Sequence, residues 1–314
     1  MERTELEKID KRFHESIPKK LINKIAVSIL IGLSHLPFWF IYGLSDFLYV
    51  LIRYVFKYRK KVIFNNLRNS FPEKSEKEII KTAGKFYRHF CDMSLETIKL
   101  YSMSEKQIDK RIQFNYPKII DDYFVQGKSI IIFGMHYNNW EWSSAGQRKG
   151  IHQLLMIYNP IRGNQAFEKY ILHLRGKWGG KSIPVHQSAR LAIQFTKMEK
   201  PTALWLAADQ TPPASSQFWT IFLNQEAPFF SGPEKIAYRS DQPVFFHHTR
   251  KVKRGRYEVD FIPLFEHPGK IESKDILLAY IRKMEEIIRE KPEYYLWSHR
   301  RWKHKRPMDI PLTQ

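Results

Sequence analysis

The sequence predicts an α/β fold: a mixed, mostly parallel sheet flanked by helices, preceded by an apolar helical membrane anchor. Three observations carry that prediction. From residue 128 onward, short apolar runs alternate with polar helical segments. The runs are Ile130 to Phe133, Leu154 to Tyr158, Ala203 to Ala207, Val244 to His247 and Tyr257 to Ile262, as in strands joined by covering helices. Lys274 to Glu290 places Ile276, Leu277, Tyr280, Ile281, Met284, Ile287 and Ile288 at helical spacing, a core-facing stripe. Ile25 to Ile52 is largely apolar and long enough to cross a bilayer core of about 30 Å.

Taken in order, residues 1 to 20 are charged and polar and predict a surface helix or frayed tail. The apolar stretch is interrupted by His35, Pro37 and Asp46. Lys19, Lys20 and Lys24 precede it, and Arg53, Lys57, Arg59, Lys60 and Lys61 follow. Basic flanks on both sides leave its orientation open. Pro37 favours a helix-Pro-helix anchor, embedded or re-entrant at the cytoplasmic leaflet, over a straight span; a pair of buried core helices is the alternative. The stretch begins too late for a signal peptide and no small-residue cleavage site follows, so the body of the protein is expected on the cytoplasmic side. The expected division is a tail and anchor over 1–62 and a single domain over 63–314, a length that fills one core. Residues 73 to 101 read as helices with charged faces, and Ser75-Glu76-Lys77-Glu78 as a helix start. Ser231-Gly232-Pro233-Glu234 reads as another, whose amino end either favours an anion or is simply capped.

Composition narrows the partners. There are 52 Lys and Arg against 32 Asp and Glu, a net charge of +20, which suits a polyanionic surface: nucleic acid, anionic lipid or an acidic carrier protein. Aromatic residues make up 15% of the chain. In Trp297-Ser298-His299-Arg300-Arg301-Trp302-Lys303 they stand beside basic residues, as at a membrane interface. Cys91 is the single cysteine, which excludes an internal disulfide and a cysteine-rich metal site; a small buried apolar role is expected. No metal is expected elsewhere: adjacent His247 and His248 point to opposite faces of a strand, and His152, His173 and His186 lack partners at ligand spacing. No glycine-rich phosphate loop follows a strand, which argues against a nucleotide enzyme.

The chemistry concentrates in Gly134-Met135-His136-Tyr137-Asn138-Asn139-Trp140-Glu141, directly after Ile130 to Phe133. An imidazole that takes a proton from an alcohol needs a carboxylate to hold its tautomer and stabilise the imidazolium. On one regular helix, five positions at about 100° each would turn the two side chains apart. His136 is therefore expected in the turn and Glu141 in the first turn of the next helix, as base and orienter. Asn138, Asn139 or the turn's backbone would donate to an oxyanion. Asp209 ends the run Ala203 to Ala208, where a buried carboxylate needs a partner; it orients a nearby Arg or the substrate, or caps the next turn. His136 and Asp209 both follow strand ends, where such sheets bind ligands. Arg162 and Asn164, in the loop after Leu154 to Tyr158, are expected headgroup contacts. His299, Arg300, Arg301 and Lys303 form a basic cluster suited to phosphate, carrier protein or headgroups.

These segments together resemble the late acyltransferases of lipid A biosynthesis, the lauroyl and myristoyl transferases of the lysophospholipid acyltransferase superfamily. The likeness rests on Tyr58-Arg59-Lys60-Lys61, Asn66-Leu67, Ser70-Phe71-Pro72-Glu73, the His136 segment, Asp209-Gln210 and Leu296 to Lys303. It runs from about residue 35 to 305. Thr211-Pro212-Pro213-Ala214-Ser215-Ser216 departs from the pattern in lacking a glycine. The resemblance implies a glycerolipid acyltransferase-like fold and transfer of an acyl chain from a thioester to a lipid hydroxyl, with no covalent enzyme intermediate and no cofactor. It implies an acyl carrier protein, or acyl-CoA, as donor and a phosphorylated glucosamine disaccharide lipid as acceptor. The enzyme would work at the cytoplasmic face of the inner membrane, without nucleic acid. Arg175 matches a family arginine and would hold a phosphate or the oxyanion. A lysophospholipid or aminoacyl lipid is the alternative acceptor. A non-catalytic basic protein would explain the charge but not the His136 and Glu141 pair.

Overall fold

The computed structural model describes residues 14–187 and 201–314. Of the polar amino-terminal segment, residues 1–13 therefore lie outside the described residues. The chain begins with two helices, α1 (Ile17–Ser34) and α2 (Phe38–Val50), and α2 runs on through a π turn at Leu51–Val55. Pro37 separates them in an extended conformation, because proline lacks the N–H that would continue the first helix. The helix-Pro-helix expectation thus describes the backbone. Phe38–Val55 is long and apolar enough to cross a membrane, and 11% of it is buried in the protein. Ile17, Leu21, Ile25, Ile29, Trp39 and Phe47 point outward and are exposed, whereas Ile41 and Ser45 are fully buried.

Three helices follow: α3 (Lys60–Ser70), α4 (Glu76–Leu100) and the short α5 (Glu105–Asp109). Helix α4 starts at Ser75, whose hydroxyl accepts from the Glu78 amide while the Glu78 carboxylate accepts from the Ser75 amide. That reciprocal cap satisfies two otherwise orphaned donors. The remaining elements are β1 (Ile112–Asn115), α6 (Lys118–Val125), β2 (Ile130–Gly134), β3 (Gln153–Tyr158), α7 (Gln165–Gly176), β4 (Lys181–Pro184), β5 (Thr202–Ala207), β6 (Phe218–Phe222), β7 (Gln225–Phe229), α8 (Pro233–Ser240), β8 (Val244–Lys253), β9 (Arg256–Phe265) and α9 (Ser273–Glu290).

Seven strands form one sheet in the order β1-β9-β8-β2-β5-β3-β4. Every neighbouring pair is parallel except β8 and β9, a hairpin that leaves β9 and the edge strand β1 running opposite to the other five. The sheet is therefore mixed and mostly parallel, as the alternation of runs predicts. All five residues of β2 are buried, the mark of a strand covered on both faces. Ile131 and Phe133 join the core beneath α3, α4 and α9, while Ile130 and Ile132 join a second core with Trp142, Tyr170 and Leu174. The α9 stripe from Ile276 to Ile288 is buried in the first of these, and Cys91 is buried as a free thiol.

The sequence did not announce β1, β4 or the separate β6–β7 hairpin. The first two are four-residue edge strands diluted by Gln113, Asn115, Lys181 and Ser182. The hairpin turns through Leu223 and Asn224, both at positive φ (50° and 63°), where the favoured two-residue turns sit; a leucine there gives no turn signal.

Candidate active site

Strands β2 and β5 are parallel neighbours, with Gly134 paired to Ala207. Two residues beyond each, the chain reaches His136 and Asp209, so the sheet's register delivers them side by side. The Asp209 carboxylate accepts from both ends of the histidine: Oδ1 lies 2.8 Å from His136 Nδ1, and Oδ2 takes the His136 backbone N–H at 3.0 Å. Asp209 is almost fully buried, while the His136 side chain is 21% exposed. Its Nε2 faces Gln210 Nε2 at 3.2 Å, and Trp140 packs edge-on to the ring with centroids 5.0 Å apart. Gly134 is required at the strand end, since a Cβ there would overlap the Trp205 indole.

Burial opposes a charged imidazolium, but the Asp209 charge and hydrogen bond outweigh it and raise the His136 pKa above its ordinary range. Asp209 responds in the opposite sense: burial favours its neutral form, and His136 holds it below the usual carboxylate range. With Nδ1 donating to Asp209, neutral His136 presents the lone pair of Nε2 outward.

Glu141 begins the 3-10 turn Trp142–Arg148, as its expected place after the turn implies, but it does not hydrogen-bond to His136. Arg175, from the end of α7, clamps it: Nε lies 2.9 Å from Oε2 and Nη2 2.5 Å from Oε1. Trp140 Nε1 adds a bond at 3.1 Å. Burial pushes the Glu141 pKa up, yet Arg175 more than compensates and keeps the carboxyl ionised. The ring-orienting contact expected of Glu141 is therefore made by Asp209. The reason is topological, because the two strands lie side by side whereas Glu141 is carried away by the turn. Arg175 correspondingly holds a carboxylate rather than standing free.

His136, Trp140, Glu141, Arg175, Gln210 and Thr211 line a cavity of about 620 Å³, closed on another side by Tyr158, Phe230 and Pro233. A second, much smaller cavity of about 60 Å³ is mainly apolar and is lined by Ile130, Ile132, Leu154, Met156 and Phe261. Trp140, Glu141, Ile157, Arg175 and Trp205 border both, so the Glu141–Arg175 pair stands in the wall between them.

Other expected site residues serve the scaffold. Asn139 is fully buried; its Nδ2 donates to Glu96 and its Oδ1 accepts from the Trp142 amide. Asn138 donates to the Thr249 carbonyl at 2.7 Å. Neither side chain lines the cavity, so neither supplies the expected oxyanion contact. Asn164 caps α7 by accepting from Phe167 N at 2.9 Å, and exposed Arg162 does not line the cavity either. Arg301 is buried, donates to the Pro228 carbonyl at 2.7 Å and lies over the Phe229 ring. Arg300 is exposed and offers its carbonyl to Thr211.

Thr211 also bonds the Arg301 carbonyl and His299 Nε2, which fixes the loop after Gln210. At the start of α8, Glu234 is buried, and burial pushes its pKa up to about 7. Among the contributing residues, sequence reasoning missed Gln210 as a cavity-lining side chain, Trp140 and Glu96, since none carries a recognisable spacing.

The sequence profile of bacterial lipid A biosynthesis acyltransferases matches residues 9–304. The chain is 25% identical over 304 residues to the lipid A biosynthesis lauroyltransferase of Escherichia coli K12, covering 94% of this chain and 95% of that one. It is 22% identical over 289 residues to the lipid A biosynthesis palmitoleoyltransferase of the same organism, covering 91% and 92%, and equally to a lipid A biosynthesis acyltransferase of Shigella flexneri. With a profile match across nearly its whole length and an imidazole set at the mouths of two parallel strands, the chain belongs to the bacterial lipid A biosynthesis acyltransferase family and is an O-acyltransferase.

Proposed function

We propose that this enzyme moves a fatty acyl chain from a thioester, on an acyl carrier protein or CoA, to a hydroxyl of a phosphorylated lipid A precursor at the cytoplasmic face of the inner membrane. The observation that carries the chemistry is His136, with Nδ1 on Asp209 and Nε2 at the cavity. Nε2 removes the acceptor hydroxyl proton as the oxygen attacks the thioester carbon. The tetrahedral intermediate collapses, the C–S bond breaks, and the imidazolium returns the proton to the departing thiolate. Asp209 stabilises that imidazolium. Glu141 holds Arg175 at the cavity wall, where the guanidinium and Gln210 are the side-chain donors placed to meet an oxyanion or phosphate.

The outward apolar face of α1 and α2, flanked by Lys19, Lys20, Lys24, Lys60 and Lys61, suits a lipid leaflet with anionic headgroups. In this reading residues 1–62 supply the tail and anchor and 63–314 the acyltransferase domain. The test is product mass after incubation of purified enzyme with an acyl thioester and either a lipid A precursor or a lysophospholipid. A precursor heavier by one acyl chain with wild type, and no product with His136→Ala, is the expected result. Acylation of the lysophospholipid alone would overturn the acceptor, and full activity of His136→Ala would overturn the mechanism.

A further inference from the structure

The turn from His136 to Glu141 needs restraint, because Asn138 sits at φ 53°, a left-handed conformation that a residue with a side chain keeps only where its surroundings impose it. Part of that restraint comes from a carboxylate that the proposed chemistry does not use. Glu96, fully buried on α4, accepts Asn139 Nδ2 at 2.8 Å and the Tyr257 hydroxyl of β9 at 2.7 Å on Oε2, and the Tyr42 hydroxyl of α2 at 3.0 Å on Oε1. Its backbone carbonyl takes Trp142 Nε1 at 2.8 Å, and the Trp142 amide donates back to Asn139 Oδ1 at 3.1 Å. The Glu96 side chain therefore joins β9, helix α2 and Asn139 in the turn between His136 and Glu141, while its backbone carbonyl holds Trp142 just beyond that turn. A buried carboxylate with three donors is far costlier to remove than to keep, and its loss would leave Asn139 with a buried, unsatisfied amide.

We propose that Glu96 is a positioning residue for acyl transfer: through Asn139 it fixes the His136–Glu141 turn, and through Tyr42 it ties that turn to the helix that carries the exposed apolar face. The inference rests on the reading of His136 as the base.

The test uses the full-length enzyme in mixed micelles, with kcat, KM and thermal unfolding measured for each variant. A displaced base about 1 Å from its place loses rate without losing substrate, so Glu96→Ala is expected to lower kcat about 100-fold with KM within about twofold. Glu96→Gln recovers most of that loss, since its amide oxygen meets Asn139 and Tyr257 and its NH2 meets a rotated Tyr42 hydroxyl. Asn139→Ala reproduces the Glu96→Ala loss, and the double variant falls no more than about threefold below the worse single one, because both remove the same link. Glu96→Ala with lowered thermal stability but unchanged kcat would overturn the proposal, as would losses that multiply in the double variant. Should Glu96→Ala not fold, Asn139→Ala decides alone, since it leaves the Tyr42 and Tyr257 bonds intact: a kcat loss at constant KM supports the link and wild-type kcat refutes it. If His136→Ala is itself fully active, the base assignment has failed rather than the positioning.

Discussion

Two buried carboxylates flank the same site, Glu141 in the cavity wall and Asp209 behind His136, and hold charge in different ways. Asp209 is paired with His136, a partner that can gain and lose a proton; Glu141 is paired with Arg175, which never does. Both acids are buried and both are kept ionised by their cation, so burial alone does not distinguish them. The partner does. A carboxylate on a histidine stabilises a charge that appears during reaction, whereas one on an arginine fixes a charge already there.

The largest effect should come from His136→Ala, with kcat/KM down at least about 1,000-fold in the thioester assay and an unchanged melting temperature. Asp209→Asn keeps a group beside Nδ1 but removes the charge, and about a 100-fold loss is expected. It also moves the pH profile in a definite direction. In the proposed mechanism the active form is neutral imidazole, so wild-type activity is expected to rise with pH through the elevated His136 pKa. Without Asp209, burial and the Arg175 charge outweigh the more remote Glu141 charge, the pKa falls, and the acidic limb of kcat/KM shifts to lower pH. Glu141→Gln sharpens the comparison: it weakens the hold on Arg175 and removes a more remote charge, so the limb should shift the same way but less. A shift as large as that of Asp209→Asn would erase the distinction between the two acids. The smallest effect is expected from Gly134→Ala, whose Cβ must displace the Trp205 ring. A destabilisation of about 1–3 kcal/mol, read by denaturant unfolding, follows from overpacking.

The same comparison shows what was legible in the sequence. His136 lies six residues past Ile130 and Asp209 six past Ala203, and those two residues are register partners. The apolar runs announce both strands and both strand ends, but not that β2 and β5 are neighbours, so sequence spacing points to the nearer acid, Glu141, as the ring's partner. Spacing along a chain reports local neighbours, and the orienting contact is long-range. The central strands and the α4 cap were readable because burial on both faces and a reciprocal cap leave dense local patterns. Asn164 and Arg301 misled for the reverse reason: a polar residue in a loop or near the carboxyl end looks free to bind a ligand, while here one caps a helix and the other is buried over Phe229. Glu96 carried no signal, since a glutamate in a long charged helix looks solvated until the chain folds around it.

Helix α2 has a second side whose consequence reaches biochemistry at the bench. Ser45 donates to Asp92 at 2.7 Å, Arg254 bridges Asp46 and Asp92, and Tyr42 meets Glu96. Cutting the chain after residue 55 to obtain a freely soluble fragment would not untie a tether from a finished catalyst. It would pull out a wall, leaving Asp92 and Glu96 short of donors and opening to water the polar floor on which the His136–Glu141 turn rests.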